Sequence, residues 1–522
     1  MKRQMSVILA SLILAQATHM ALAELERVGP NDPVNGYPIW YQDGTGVPLE
    51  LGLPLNQAEL NGGWCLILPA DVPSGTAPET FPTDFAGEHF YWAADAGINF
   101  AGGRARLVLA LEAAFITEDP APGDQVVFGR VRIRVDDLPF DGDYTVYTPY
   151  GVFVFHDQPG GERLFHTVDL GLEKPFNGPL HSHIGPFLLP SDTPGGAELL
   201  PVTGPVPGKF YIAEPTRSGP VTGSPLPAFT SPVDGITRNH NIFRIEGPNG
   251  FVIQTFNFTM VGRLYTGVIP GLVTIDRASY TRNPSVEKVD VFATGRPTLP
   301  SRPPTFAIPS RFTPVLSFYN ALPGVDPATG QLIAPVGQPE IPMAVAGTHY
   351  WAQAQPPAIP SGVTVKDAAS RNILGQLTPT FMGAPVTDEI TITDAIYNPT
   401  GGGSLLVEAF SSDSIAPVTL SLAGFGNLAG GQIAFSPLAA PPARVQVLSS
   451  AGGIALADVV TLLPLDQAYC GMPGTAYLDM DRAGPAGSGP AHRDCRVNLY
   501  DLAYLAEQWL QCTDPADPTC TP

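Results

Sequence analysis

Six residues near the C-terminus have the types and spacing of a calcium loop: Asp479, Asp481, Asp494, Arg496, Asn498 and Asp501. Calcium takes oxygen ligands at alternate positions, and a carboxylate just inside the following helix closes the shell. With Asp501 as the closing residue, Asn498 and Asp494 fall on alternate ligand positions and Arg496 offers its backbone carbonyl. Cys495 stands where such loops prefer glycine. The next residues, LYDLAYLAEQWL, place Leu499, Leu502, Leu505, Ala506, Trp509 and Leu510 at helical spacing, which predicts one apolar face. Asn498 and Asp501 also have the spacing of a helix-capping arrangement.

The other residues able to do chemistry are more dispersed. Six of the nine histidines fall between residues 24 and 265: His89, His156, His166, His181, His183 and His240. His181 and His183 are two apart, so on a strand both rings would face one metal. The expected reading is nevertheless hydrogen-bonded core or surface histidines, with a shared metal as the alternative. Ser182 between them is not a triad nucleophile, because its neighbours point to the other face. The chain lacks G-x-S-x-G, H-E-x-x-H and the phosphate-binding loop. The aromatic runs Trp40-Tyr41, Phe90-Tyr91-Trp92 and Tyr350-Trp351 are read as core or rim rather than as sugar platforms.

Four of the five cysteines, Cys470, Cys495, Cys512 and Cys520, flank the acidic residues. Four cysteines allow three connectivities. Cys470–Cys495 with Cys512–Cys520 is the favoured one, because it closes the loop and a short Asp-Pro turn. Cys65, in GGWCLIL, is expected to be a buried, inert thiol.

The tail D-x-D…D-C-x-V-N-L-x-D-L-A-x-L-A-x-x-W-L, followed by C-T-D-P-x-D-P-x-C, resembles a dockerin-type repeat. It is most similar to the cysteine-bearing version at the C-terminus of exported planctomycete proteins. The resemblance implies Ca2+ held by Asp479, Asp481, Asp494, Asn498 and Asp501, and a protein partner that is cohesin-like or part of the envelope. The chain departs from the family in having one repeat and in the insert RAGPAGSGPAH between Asp481 and Asp494. Read without a gap, Pro490 and His492 take the first ligand positions. A disulfide-held helical cap without its ion is therefore the competing reading.

The elements that must carry these residues are β-strands. Charged residues make up only 14% and apolar ones 44%, while Gly (55) and Pro (58) together exceed a fifth of the chain. That composition suits short strands joined by many turns. A formal charge of −21 argues against nucleic acid as a partner. Residues 1–23 read as a signal peptide: Lys2 and Arg3, an apolar run from Ser6 to Ala15, then Ala21-Leu22-Ala23. No later run is long and apolar enough to span a membrane. The expected address is secreted, periplasmic or cell-surface.

Strands are predicted at Arg106–Ala113, Gln125–Val135, Tyr144–Phe155, Phe210–Ala213, Ile242–Glu246 and Phe251–Val261. In Gln125–Val135, Val131, Ile133 and Val135 alternate with Arg130, Arg132 and Arg134, as in a half-buried strand. The arginine row is expected to be a solvated face paired with carboxylates, with an anionic ligand as the alternative. Further on, the stretch from Val273 aligns with that from Ile390, Tyr280 falling on Tyr397 and Val289-Asp290-Val291 near Leu405-Leu406-Val407. Closing strands at Gly362 and Arg444 match as well. Two copies imply tandem domains. They resemble immunoglobulin-like modules of bacterial surface proteins, and the N-terminal region resembles an uncharacterised bacterial secreted family through NGYPIWYQDGTG, DQVVFGRVRIRV, HIGPFLLP and IFRIEGPNG.

The expected architecture is all-β and multi-domain: a β-sandwich region over 24–265, immunoglobulin-like modules over 267–382 (with an inserted loop) and 388–463, and a small helical, disulfide-bonded dockerin-like module over 465–522. The expected function is non-enzymatic binding or spacing with attachment through the tail. The alternative is a carbohydrate-active enzyme or carbohydrate-binding protein, with polysaccharide as ligand.

Overall fold

The computed structural model describes residues 25–300, 310–327, 330–373 and 375–462. The calcium-loop residues Asp479, Asp481, Asp494, Arg496, Asn498 and Asp501, the four flanking cysteines and residues 1–23 lie outside the described residues. What is described is almost wholly β, with one α-helix, α1 (Gln57–Asn61), among the described residues. Asn56 caps α1 by accepting from the Glu59 amide. The chain divides into two compact units. Among the described residues, one takes in 25–276, 292–352 and 364–383, the other 277–291, 353–363 and 384–462.

The first unit is built on long strands whose side chains alternate between core and solvent. The strands used below are β1 (Leu25–Val28), β2 (Trp40–Asp43), β3 (Pro48–Glu50), β4 (Glu88–Phe100), β5 (Gly103–Phe115), β6 (Gln125–Asp136), β7 (Gly142–Thr148), β8 (Gly151–Gln158) and β9 (Leu164–Leu170). A five-stranded antiparallel sheet runs Thr259–Val261, β4, β5, β6, β9. On β5 the alternate residues Ala105, Leu107, Leu109, Leu111, Ala113 and Phe115 are buried, and on β6 Val131, Ile133 and Val135 are. A bulge between Phe90 and Trp92 lets both Tyr91 and Trp92 enter the interior.

A four-stranded sheet (Val252–Thr255, Phe243–Glu246, β7, β8) and a six-stranded one (β1, β2, β3, Arg263–Leu264, Phe210–Tyr211, Val202–Thr203) make up most of the rest of this part, beside two short two-stranded ribbons. All three sheets feed one apolar core. Leu107 and Leu109 come from the first sheet, Val146 and Ile245 from the second, Tyr41 and Leu49 from the third. Two expected strands are each split. Tyr144–Phe155 is the β7–β8 hairpin, turning at Pro149 and Tyr150. Phe251–Val261 contributes Val252–Thr255 to one sheet and Thr259–Val261 to another. The second break falls among the strand-forming residues Phe256 and Phe258, where periodicity hides it; the first is marked by Pro149 and Gly151, which a single-strand reading runs through.

Further along this unit, Leu316–Tyr319 pairs antiparallel with the segment Thr364 to Asp367. Glu340 braces the pair: it accepts from Ser317, Tyr319 and Lys366.

The second unit contains a β-sandwich of two four-stranded sheets. One runs Gln432–Phe435, Ser404–Ser411, Ile390–Asn398, Val460–Thr461; the other runs Gly426–Asn427, Leu420–Leu422, Arg444–Ser449, Ile454–Asp458. Leu405, Val407 and Ala409 from the first face Leu420, Leu422, Val445 and Val447 from the second. The sequence repeat has a structural counterpart. Tyr397 lies on a strand that pairs in parallel with a later one (Tyr397 opposite Thr461), and so does Tyr280 (opposite Asp388). Both tyrosines are buried, as are Val289 and Val291 in one copy and Leu405 and Val407 in the other. Of the matching closing strands, Val363 and Val365 are as buried as Val445 and Val447.

Candidate functional site

The outer face of the five-stranded sheet carries the densest set of charged side chains in the first unit. Alternation on β6 turns Arg130, Arg132, Arg134 and Asp136 outward because their neighbours fill the core. Register then sets their companions. On β5, Arg104 lies opposite Asp136, Arg106 opposite Arg134, Val108 opposite Arg132 and Ala110 opposite Arg130. On β9, Phe165 lies opposite Arg134, Thr167 opposite Arg132 and Asp169 opposite Arg130.

Most of these arginines are spoken for. Arg130 grips Asp169 with Nε at 2.8 Å and Nη2 at 3.0 Å, and its Nη1 donates to both oxygens of Glu112 at 2.9 and 2.7 Å. The Phe128 ring lies 4.8 Å beneath its guanidinium. Burial lifts the Glu112 carboxyl to about 7 against the pull of Arg130. Burial works the same way on Asp169, but the Arg130 hydrogen bonds outweigh it and hold that carboxyl below its ordinary value. At the other end, Asp136 accepts from Arg134 at 2.9 Å, Arg104 at 3.0 Å and Arg163 at 2.8 Å. Those bonds, led by Arg134, hold it well below the usual carboxylate range. Arg106 reaches Asp95 on β4 at 2.5 Å.

Arg132, in the middle of the row, makes no comparable pair. Its Nε is buried and has no hydrogen-bond partner. Glu112 and Asp169 feel its charge only through space. Above it opens a trough of about 430 Å³, lined among others by Arg104, Arg106, Arg134, Asp95 and Phe165, whose ring is 56% exposed. A second hollow of about 490 Å³ shares Arg104, Arg134 and Asp136 with it and adds Arg163. This arrangement can hold an anion; it presents no nucleophile next to a base.

The expectation of a carboxylate-paired arginine row thus holds for Arg130 and Arg134 and fails for Arg132. The spacing R-x-R-x-R on β6 marked the row. Arg104, Arg106, Arg163, Asp95 and Phe165 come from strands whose register the sequence does not state.

The histidines do not converge. His181 ends a short 3₁₀ turn, Gly178–His181, rather than lying on a strand, so the same-face argument for His181 and His183 does not apply. Ser182, between them, is buried against β6: a Cβ at Gly129 would lie 2.3 Å from its Oγ, which explains the glycine in QVVFGRV. His89 pairs with Glu79 at 2.7 Å, His156 with Asp143 at 2.9 Å, and His240 Nδ1 lies 3.0 Å from the Thr148 carbonyl. Burial pulls His240 down from its ordinary value. Among the described residues no group of three or more His, Cys, Asp or Glu is placed to hold a metal ion. Trp40, Tyr41, Tyr91, Trp92 and Tyr350 are core residues, and Trp351 is exposed.

A second charged cluster is closed. Arg263 donates to Glu50 at 2.5 Å, to Glu59 at 2.6 Å and to the carbonyls of Leu51 and Leu53. Tyr211 and the Cys65 thiol also donate to Glu59, at 2.7 and 3.3 Å. Cys65 is buried and unbridged, and burial raises its thiol well above the ordinary value. With its members buried and its carboxylates paired, this network reads as a structural lock.

Among the described residues no helix is long and apolar enough to cross a membrane. No family model matches the chain, and no curated protein matches it. Among solved structures, similarity is found to a Ca2+-stabilised adhesin with which an Antarctic bacterium binds ice (11% identity, 68% of this chain and 80% of that one, TM-score 0.15). It is also found to the N-terminal four immunoglobulin domains of Dscam1 isoform 6.44 (10% identity, 69% and 80%, TM-score 0.13). A third is the ectodomain of mouse nectin-like molecule 4 (9% identity, 43% and 83%, TM-score 0.12).

Proposed function

We propose that the protein is an exported, non-enzymatic binding protein: β-sandwich domains, the later ones immunoglobulin-like, present a ligand face, and the dockerin-like tail attaches the chain to a protein or envelope partner. The observation that supports the binding role is the trough over Arg132. Its charged groups are arranged to receive an anion, and they are tied up in ion pairs rather than set around a reacting atom. Support for export and attachment comes from the sequence: the signal-like residues 1–23 and the acidic, cysteine-bearing tail.

In the tail, Asp479, Asp481, Asp494, Asn498 and Asp501 would supply side-chain oxygens and Arg496 its carbonyl, a donor set of the hard oxygen type calcium takes. Calorimetric titration of the intact, oxidised chain with Ca2+ tests this, with Asp494→Ala, Asp501→Ala as the comparison. Saturable binding lost in the double variant is expected. Absence of binding in a folded, disulfide-intact chain would overturn the calcium-dependent attachment.

A carbohydrate-active enzyme is the second reading. It would require a pair of carboxylates facing each other across an open cleft. The exposed-face carboxylates Asp95, Asp136 and Asp169 are each held by an arginine instead.

A further inference from the structure

We propose that the Arg132 trough is a subsite for acidic glycans, recognising carboxylate or sulfate groups on a sugar chain. The inference rests on the reading of the chain as a binding protein and names the ligand class of that same face.

Three observations carry it. First, Arg132 Nε is a buried donor without an acceptor. Buried donors in folded proteins are nearly always paired, so this orphan, on a side chain that lines an open trough, leaves the guanidinium free to turn to an acceptor from outside. A planar carboxylate or a sulfate fits, because a guanidinium offers a fork of donors that grips either with two parallel bonds. Second, the trough is locally basic on a chain of net charge −21. It holds four arginines (Arg104, Arg106, Arg132, Arg134) against two aspartates (Asp95, Asp136). The flanking arginines already share those aspartates, so an incoming anion is drawn to Arg132 while its neighbours contribute field. Third, the basic surface is elongated. The two hollows join through Arg104, Arg134 and Asp136 and lead on to Arg163. Successive outward residues of a strand stand about 6.6–6.8 Å apart, so the row presents charge at a repeat that a polymer can follow.

The same face disfavours a peptide. It lies over β5 and β6, interior strands whose backbone is paired on both sides. The main-chain hydrogen bonds by which sheets take up peptides are therefore absent there. What remains is guanidinium groups and the exposed Phe165 ring, which suit a ligand offering anions and apolar ring faces.

The test is calorimetric titration of the intact chain with four probes at low salt: oligogalacturonate, dextran sulfate, neutral dextran and poly-glutamate. Saturable binding of at least one acidic glycan is expected, with neutral dextran and poly-glutamate much weaker; the stronger acidic glycan tells carboxylate from sulfate. Arg132→Gln and Arg132→Lys should each weaken binding about tenfold or more, because lysine keeps the charge but lacks the fork. Arg444→Gln, in the second unit, should leave it unchanged. Near-UV circular dichroism checks that the variants fold. The proposal falls if neither acidic glycan binds, if poly-glutamate binds as tightly, or if both Arg132 variants bind like the native chain. Calcium binding by the tail that persisted through such a failure would leave the broader reading standing.

Discussion

Arg106 on β5 and Arg134 on β6 face each other directly across the sheet, two like charges at a position where sheets ordinarily put opposite ones. Each is turned to its own aspartate, Arg106 to Asp95 and Arg134 to Asp136. Asp136 does most to hold the row together, since Arg104 and Arg163 share it.

Asp136→Asn should therefore have two opposite effects. Thermal stability falls at low salt and is partly restored by added NaCl, because screening relieves the exposed arginines. Affinity for an acidic glycan rises several-fold at low salt, since one competing anion has been removed. Melting curves at two NaCl concentrations and one titration check both. A variant unchanged in either would mean that Asp136 does not balance the row.

The closed cluster around Arg263 should be intolerant of losing a partner. Arg263→Leu leaves Glu59 buried without its cation and Glu50 with Lys209 alone, and removing one member of a buried pair costs about 3–5 kcal/mol. Urea denaturation followed by tryptophan fluorescence reports it, the Trp64 ring lying 4.7 Å from that of Tyr211 in this cluster. A loss well below that range would mean the network contributes little.

The repeat in the second unit gives a matched pair of substitutions. Tyr280 donates to the Asp413 carboxylate at 2.9 Å, Tyr397 to the Leu438 carbonyl at 2.8 Å. Burial and the bond to Asp413 push the Tyr280 hydroxyl up to about 12. A hydrogen bond to a charged group contributes about 1.5–3 kcal/mol and one to a neutral carbonyl about 0.5–1.5 kcal/mol. Tyr280→Phe should accordingly destabilise more than Tyr397→Phe. Equal losses by denaturant titration would contradict the assignment.

Acid should act through Glu340. Its carboxyl is held down at about 2, first by Lys366 and then by Ser317 and Tyr319. A carboxylate depressed in the folded state contributes stability that is complete above its ordinary value near 4.5 and is lost as pH falls toward 2. Glu340→Gln should be less stable at pH 6, with the difference shrinking between pH 4.5 and 2. Melting temperatures across that range measure it; a difference that grew in acid would reverse the sign.

Much of this was legible in the sequence where alternation is long and one-sided. The row Val131, Ile133, Val135 against Arg130, Arg132, Arg134 fixed both faces of β6. The Tyr280–Tyr397 alignment located two equivalent strands, each paired in parallel with a later strand of its own. The ambiguous ARLVLALEAAF is strand in β5, alternating in burial at its start and buried throughout from Leu109 to Ala113. Legibility ended where function depends on register. Nothing in the linear chain says that Asp95, Arg106, Arg134 and Phe165 lie side by side, because they come from four strands. Nor does it say that Glu50, Glu59, Cys65, Tyr211 and Arg263 meet in one cluster. The condition for His181 and His183 to share a face, a common strand, is not met, because Gly178 and Pro179 open a 3₁₀ turn there.

The central claim, binding without turnover, is tested most directly by one sedimentation experiment. The intact protein is mixed with an insoluble acidic glycan, and the pellet is assayed for protein while the supernatant is assayed over time for new reducing ends. The account predicts protein in the pellet and a supernatant that stays free of new ends. Reducing ends that accumulate in proportion to the protein added would contradict it and establish the enzyme reading in its place.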